Sequence, residues 1–178
     1  MKPSFAEGIA DIEFNDPRHM ACHTKLNVIY TSNQELGGIS SWKRDAKSGA
    51  LTQWECKETI PRNGEAGYAA TDIILSPDSL FAYVVNLDGS GTNPQFNSVS
   101  VFKLDPQTGA LSDCIQNIKT GEFVRCISID GSGSFIYAAT SRSNEIHAYK
   151  RDKKTGFLEA LKVTKSAMKL NWMSSLSN

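Results

Sequence analysis

A repeated unit constrains this sequence more than any other feature. Three stretches superpose on one another, Cys22 to Asn33, Leu75 to Asn86 and Ile129 to Thr140, and each places a polar turn before a short apolar strand. Their tyrosines, Tyr30, Tyr83 and Tyr137, stand 53 and 54 residues apart. A second motif follows each stretch: Ile39 to Leu51, Val99 to Leu111 and Ile146 to Leu158. In these, Trp42, Phe102 and Tyr149 precede Gly49, Gly109 and Gly156 by seven residues.

The local chemistry of the unit is that of strands. Leu26 to Thr31, Phe81 to Val85 and Phe135 to Ala139 are short apolar runs bounded by Asn, Asp, Gly and Ser. Between the second motif's strands lies Asp-x-x-x-Gly (Asp45 to Gly49, Asp105 to Gly109, Asp152 to Gly156), which reads as a hairpin loop. Aspartate accepts hydrogen bonds from nearby backbone, and glycine supplies the positive φ at which the chain reverses. Each unit is therefore a four-stranded antiparallel meander. Four strands at this period is the signature of a β-propeller blade, whereas an all-β sandwich has regular strands without a sequence repeat.

The expected fold is all-β, about three blades at roughly 14–68, 69–121 and 122–161, with a divergent tail at 162–178. Trp42, Phe102 and Tyr149 recur at one blade position and read as packing residues between adjacent sheets. The second unit carries an insertion, Leu87 to Asn97, rich in Gly, Asn and Pro; it reads as a loop extension on one rim, or as a substrate-facing lid. In the tail, Met168, Trp172 and Leu176 have the spacing of a short amphipathic helix, and an end without fixed structure is the competing expectation.

Composition excludes whole classes of function. With 19 basic and 19 acidic side chains the chain has no net charge, so bulk attraction to nucleic acid or to an anionic membrane is not expected. No run of 18 apolar residues is present, and Met1 to Phe14, with Glu7, Asp11 and Glu13, does not have the form of a targeting peptide. Cys22, Cys56, Cys114 and Cys126 are widely spaced and read as buried thiols of a cytoplasmic protein. His19, Cys22 and His23 do not converge on a strand, so no metal is expected. Gly131-Ser-Gly-Ser134 leads into a strand rather than a helix, which argues against a phosphate cradle and a nucleotide cofactor.

Several of these residues together resemble one family, the lactonase seven-bladed β-propellers, which include 6-phosphogluconolactonases and the fungal carboxy-cis,cis-muconate cyclases. The resemblance rests on Asp16-Pro-Arg-His19, on Ser76-Pro-Asp-Ser-Leu-Phe-Ala-Tyr-Val-Val-Asn86 and on the three Lys-x-Asp-x-x-x-Gly-x-Leu hairpins, and covers about residues 14 to 162. It implies a site at the central mouth of the propeller, where arginine, histidine and carboxylate groups meet a lactone or its ring-opened acid. Opening a lactone requires a base to activate water and a cation to stabilise the oxyanion.

Carried over residue by residue, Arg18 and His19 match the family's Pro-Arg-His element, and Arg125 matches the arginine that opens the following blade. Gln34 stands where a glutamate is expected, with Glu35 beside it; Asp72 and Ile74 stand where bacterial members resemble Glu-Ile-His. Leu87 replaces an arginine. The resemblance thus implies Arg18, Gln34 and Arg125 as substrate-binding, and His19 with Asp72 as the acid–base pair, acting without metal or cofactor on an anionic sugar-acid lactone. Gln34, Ile74 and Leu87 remove acid–base or anion-binding groups, which motivates a non-catalytic binding or scaffold role as the alternative; a carboxymuconate cycloisomerase is the third. Three blades leave two faces uncovered, so self-association through the open blade edges is also expected.

Overall fold

A computed structural model of the chain describes residues 16–35, 37–60 and 68–166. Among these residues twelve strands form three separate four-stranded sheets, each an antiparallel meander in chain order. The first blade consists of β1 (Pro17–Cys22), β2 (Val28–Asn33), β3 (Gly38–Arg44) and β4 (Leu51–Glu58). The second consists of β5 (Tyr68–Leu75), β6 (Phe81–Asp88), β7 (Ser98–Leu104) and β8 (Leu111–Lys119). The third holds β9 (Val124–Ile129), β10 (Phe135–Thr140), β11 (Glu145–Arg151) and β12 (Leu158–Lys165). The last strand thus runs past Leu161 to Lys165. Met168, Trp172 and Leu176 lie outside the described residues.

The sheets fan out from their first strands. Strand β5 packs against β1 on one side and β9 on the other, and these innermost strands crowd together more closely than β4 and β8 do at the periphery. Strand periodicity explains how one sheet serves two interfaces. On β6, Ala82 and Val84 pack toward the first blade with Tyr30, Ile39 and Ile73. Phe81, Tyr83, Val85 and Leu87 pack toward the third blade with Val124, Ile136 and Tyr149. Every residue of β6 is consequently buried, although the strand alternates strictly between two faces.

The three Asp-x-x-x-Gly motifs are hairpin loops, as their spacing predicts. Asp45 Oδ1 accepts the N–H groups of Lys47 and Ser48 at 3.0 and 2.7 Å. Asp105 repeats this with Gln107 and Thr108, and Asp152 with Lys154 and Thr155. Gly49, Gly109 and Gly156 all have φ between 74° and 78°. At Gly156 a second constraint adds to the backbone one, because a Cβ there would collide with the ring of Phe81.

Two of the three repeated tyrosines, Tyr30 and Tyr83, are latches between blades. Tyr30 Oη donates to the Gly109 carbonyl at 2.6 Å, and Tyr83 Oη donates to the Gly156 carbonyl at 3.0 Å. The second strands of the first and second blades therefore each hold the hairpin of the blade that follows. Arg151 reinforces the second junction from inside, donating to Tyr83 Oη at 2.8 Å and to the Gly133 carbonyl at 3.0 Å, and pairing with Asp78 at 3.3 Å. Phe102 and Tyr149 are buried between sheets, while Trp42 is only half-buried and donates its Nε1–H to Thr31.

One expectation needs revision and a second gains detail. Among the described residues the cysteines form no disulfide, but only Cys126 is buried; Cys22, the last residue of β1 at the inner edge of the first sheet, is exposed. The insertion in the second blade is a folded loop with its own anchors. Asp88 accepts the N–H groups of Ser90, Gly91 and Asn93, a one-turn 3-10 helix follows at Pro94–Phe96, and Phe96 is buried against Tyr68 with ring centroids 5.1 Å apart. Asn97 Oδ1 then accepts the N–H of Phe123, tying the loop to the third blade.

Candidate functional site

The three innermost strands share a local irregularity that the sequence pattern does not announce. In β1 the register passes from Pro17 opposite Asn33 to His19 opposite Ser32, so Arg18 is left without a partner. In β5 the step from Ala70 to Asp72 leaves out Thr71, and in β9 the step from Val124 to Cys126 leaves out Arg125. A one-residue bulge thus stands at the same level of every blade, and such bulges re-aim the side chains beside them. Arg18, Thr71 and Arg125 are the bulged residues. His19, Asp72 and Cys126 follow them in equivalent positions.

The bulges bring His19 and Asp72 together across two blades. His19 Nδ1 lies 3.5 Å from Asp72 Oδ1; the histidine side chain is 45% exposed and the aspartate 13%. Asp72 is fixed from the other side as well, since Oδ1 accepts the N–H of Ile73 at 2.8 Å and Oδ2 that of Ile127, on β9, at 3.0 Å. One carboxylate therefore touches all three innermost strands. Burial pushes the Asp72 carboxyl above its ordinary range, opposed by the N–H groups of Ile127 and Ile73 and by the charges of His19 and Arg18. Both residues line an open cleft of about 530 Å³ along the inner strands, with Ile74 and Thr24 among its other walls.

Arg18 and Gln34 meet directly: the guanidinium donates to the Gln34 side-chain oxygen, and the Gln34 N–H returns to the Asp16 carbonyl at 2.9 Å. The strand ends at Asn33, so Gln34 and Glu35 occupy a turn and not a strand. Strand alternation, which would send them to opposite faces, does not govern them, and both line a second cleft of about 550 Å³ at the rim, with Asp16, Tyr68 and Ser90. Leu87 points away from this rim into the core between the second and third blades.

Arg125 is placed differently from Arg18. Its guanidinium lies 4.8 Å over the ring of Phe123, and Arg142 lies 4.9 Å from the same ring. Among the described residues no ion pair engages either arginine, and no hydrogen bond joins Arg125 to Arg18, His19 or Asp72. Arg142 was not singled out from the sequence; its signal is the Phe123-Val-Arg125 element with a second arginine after the strand holding Tyr137. His23, close to His19 in sequence, has a structural role, since its Nδ1 accepts the N–H groups of Lys25 and Leu26. Among the described residues no three His, Cys, Asp or Glu side chains converge as metal ligands, and no helix is long and apolar enough to cross a membrane.

Comparison with known proteins decides the family. The model of the lactonase family, "Lactonase, 7-bladed beta-propeller", matches residues 13–174. The chain belongs to the lactonase seven-bladed β-propeller family. Among curated proteins, this lactonase-family chain is 30% identical over 149 residues to a 6-phosphogluconolactonase of Formosa agariphila, covering 82% of the chain and 39% of that protein. It is 28% identical to a 6-phosphogluconolactonase of Pectobacterium carotovorum, covering 82% of the chain and 41% of the relative. Of solved structures, a Lactobacillus plantarum protein superposes with a TM-score of 0.77 at 28% identity, over 86% of this chain and 42% of that one. A Bacteroides fragilis protein described as a putative 6-phosphogluconolactonase gives 0.72 at 25% identity, over 84% and 39%. The lactonase-family chain spans about two-fifths of the length of the relatives it matches, in keeping with three blades against the seven of the family's name.

Proposed function

We propose that this lactonase-family chain supplies the inner-wall residues for hydrolysis of an anionic sugar-acid lactone of the 6-phosphogluconolactone class. The observation that carries the reading is the His19–Asp72 pair, formed across two blades at the bulges of the innermost strands. Its members come from separate repeats, 53 residues apart in sequence, and meet on the wall of an open cleft.

In the reaction, Asp72 orients the imidazole through Nδ1, which leaves Nε2 directed at the substrate. Nε2 takes a proton from water as the water oxygen bonds to the lactone carbonyl carbon, and Arg18 stabilises the oxyanion that forms. The carbonyl then re-forms as the ring C–O bond breaks, and the departing alkoxide takes the proton from His19. One water is added and the hydroxy acid leaves. Arg125 and Arg142, each without an acidic partner among the described residues, are suited to the phosphate or carboxylate that marks the substrate, because guanidinium groups bind such anions in parallel hydrogen bonds.

The decisive measurement is the rate of 6-phosphogluconolactone hydrolysis by protein shown to be folded, against the spontaneous reaction. His19→Ala should lower the enzymatic rate about 10²- to 10⁴-fold, the range for loss of a general base. Turnover by the parent chain no faster than background would overturn the catalytic reading. A second reading is a non-catalytic binding surface: Gln34 already occupies the Arg18 guanidinium, Ile74 lines the cleft where an ionisable group would serve, and Leu87 is buried. That reading predicts that a sugar-acid anion binds without turnover and that Arg125→Ala abolishes the binding.

A further inference from the structure

The short link from β8 to β9, Thr120 to Phe123, is held from two sides. Asn97, the last residue of the insertion in the second blade and only 4% exposed, supplies one side. Its carbonyl accepts the Thr120 N–H at 3.0 Å, and its side-chain Oδ1 accepts both the Phe123 N–H at 2.9 Å and the Asp88 N–H at 3.2 Å. The turn between β10 and β11 supplies the other. Ser141 donates its N–H to the Phe123 carbonyl at 3.1 Å, and Arg142 donates its N–H to the Glu122 carbonyl at 3.3 Å.

These bonds fix an unfavourable conformation. Phe123 has a φ of 61°, in the left-handed region that a bulky side chain rarely adopts. Such a residue persists only where its surroundings over-determine it, and residues of this kind cluster at functional sites. Here the conformation places a ring. The guanidinium groups of Arg125 and Arg142 lie 4.8 and 4.9 Å from the Phe123 centroid, so two like charges are gathered on one aromatic group that attracts each of them. The insertion also passes beside the second arginine, since a Cβ built on Gly91 would stand 3.1 Å from Arg142 Nη1.

We propose that Asn97 is a positioning residue for anion recognition: it sets the Phe123 ring, and the ring holds Arg125 and Arg142 so that both guanidinium groups engage the same phosphate or carboxylate. The proposal rests on the reading above, in which these arginines receive the anionic group of the substrate. Asn97 is buried and acts through Phe123, not on the ligand. Two forks fixed in advance cost less ordering when the anion binds. The insertion thus braces the site and does not close over it.

The test is a titration of the 178-residue chain with inorganic phosphate, followed through the side-chain NMR signals of Arg125 and Arg142. In the parent, the Phe123 ring current should shift the δ-methylene protons of both arginines before phosphate is added, and both Nε–H signals should then move along one binding curve. Asn97→Ala removes the oxygen that holds Phe123. It should reduce both ring shifts and raise the phosphate dissociation constant by up to about 10²-fold, the order that a misplacement of about 1 Å costs at a positioned site. If that variant does not fold, Asn97→Ser, whose hydroxyl is too short to bridge both N–H groups, carries the same expectation. Asn97→Asp keeps an accepting oxygen and should restore the ring shifts, a rescue that a purely packing role does not predict. Phe123→Leu, at a partly exposed position, should weaken phosphate binding as Asn97→Ala does, and the double variant should be no weaker than the worse single one, because both changes break one chain of contacts. Additive losses, or an Asn97→Ala protein with the parent's affinity, overturn the inference and leave the anion reading intact. Arginine signals that ignore phosphate in the parent overturn the anion reading and this proposal with it.

Discussion

The second and third blades are built from nearly the same sequence motifs, yet the same positions have different physical lives in each. In the second blade, β6 is buried along its whole length because a sheet covers each of its faces. In the third, β12 is exposed everywhere except at Leu158. The hairpins, the bulges and the four-strand meander are identical in plan. What separates the blades is the neighbour. In a repeat array each unit is stabilised by its interfaces as much as by its own hydrogen bonds, so a residue's energetic weight is set by its place in the row.

Phenylalanine at the start of the second strand gives the sharpest test of that comparison. Phe81 is buried against Gly156 and beneath the Arg151 guanidinium. Phe81→Ala should cost about 3–5 kcal/mol, the sum of lost transfer energy and the cavity left behind. Phe135→Ala, at the equivalent place on the open face, should cost under about 1 kcal/mol in denaturant titrations at concentrations where the chain is monomeric. Equal losses at the two sites would show that the outer face is covered in solution even then.

The tyrosines allow a finer measurement. Tyr83→Phe removes the hydroxyl that accepts from Arg151 and donates to Gly156, leaving one buried guanidinium donor and one carbonyl short of a partner. Its cost should be about 1–3 kcal/mol, the desolvation penalty of unsatisfied buried groups. Tyr137→Phe in the monomer should lie within about 0.5 kcal/mol of the parent. Burial also pushes the Tyr83 phenol up to about 12, so spectroscopic titration should find it ionising well after an exposed tyrosine.

The same contrast explains which features are legible in the sequence. Blades, hairpins and the spacing of Tyr30, Tyr83 and Tyr137 can be read because periodicity is a property of the chain itself. The bulges cannot, since a skipped residue such as Thr71 is defined by pairing with another strand. Asp72 and His19 are legible only as residues resembling a family's site; that one carboxylate bridges three strands depends on Ile127, far along the chain. Leu87 is an instance of the same limit. Beside a polar insertion it reads as a missing arginine at the mouth, whereas the register of β6 turns it into the core with Phe81, Tyr83 and Val85. Gln34 and Glu35 escape strand alternation because the strand stops one residue earlier.

A small and pH-dependent effect concerns how the third blade holds an outer strand that lacks a covering sheet. Glu145, the first residue of β11, accepts from Lys165 at the end of β12 at 2.6 Å and lies 3.1 Å from His147 Nε2. The second blade places Ser98 opposite Lys119 at this register position, and the first places Gly38 opposite Glu58, so the ion pair is special to the open end. The Lys165 hydrogen bond is the main reason that the Glu145 carboxyl is held down to about 2. Because the folded value lies below the ordinary one, the carboxylate adds stability above pH about 4.5, and this contribution is lost as pH falls toward 2. Lys165 is largely exposed, so solvent screening limits the pair to under about 1 kcal/mol. Glu145→Gln should therefore be slightly less stable than the parent at neutral pH and converge with it near pH 2. A gap that stays constant over that range would mean that the side chain acts through packing and not through charge.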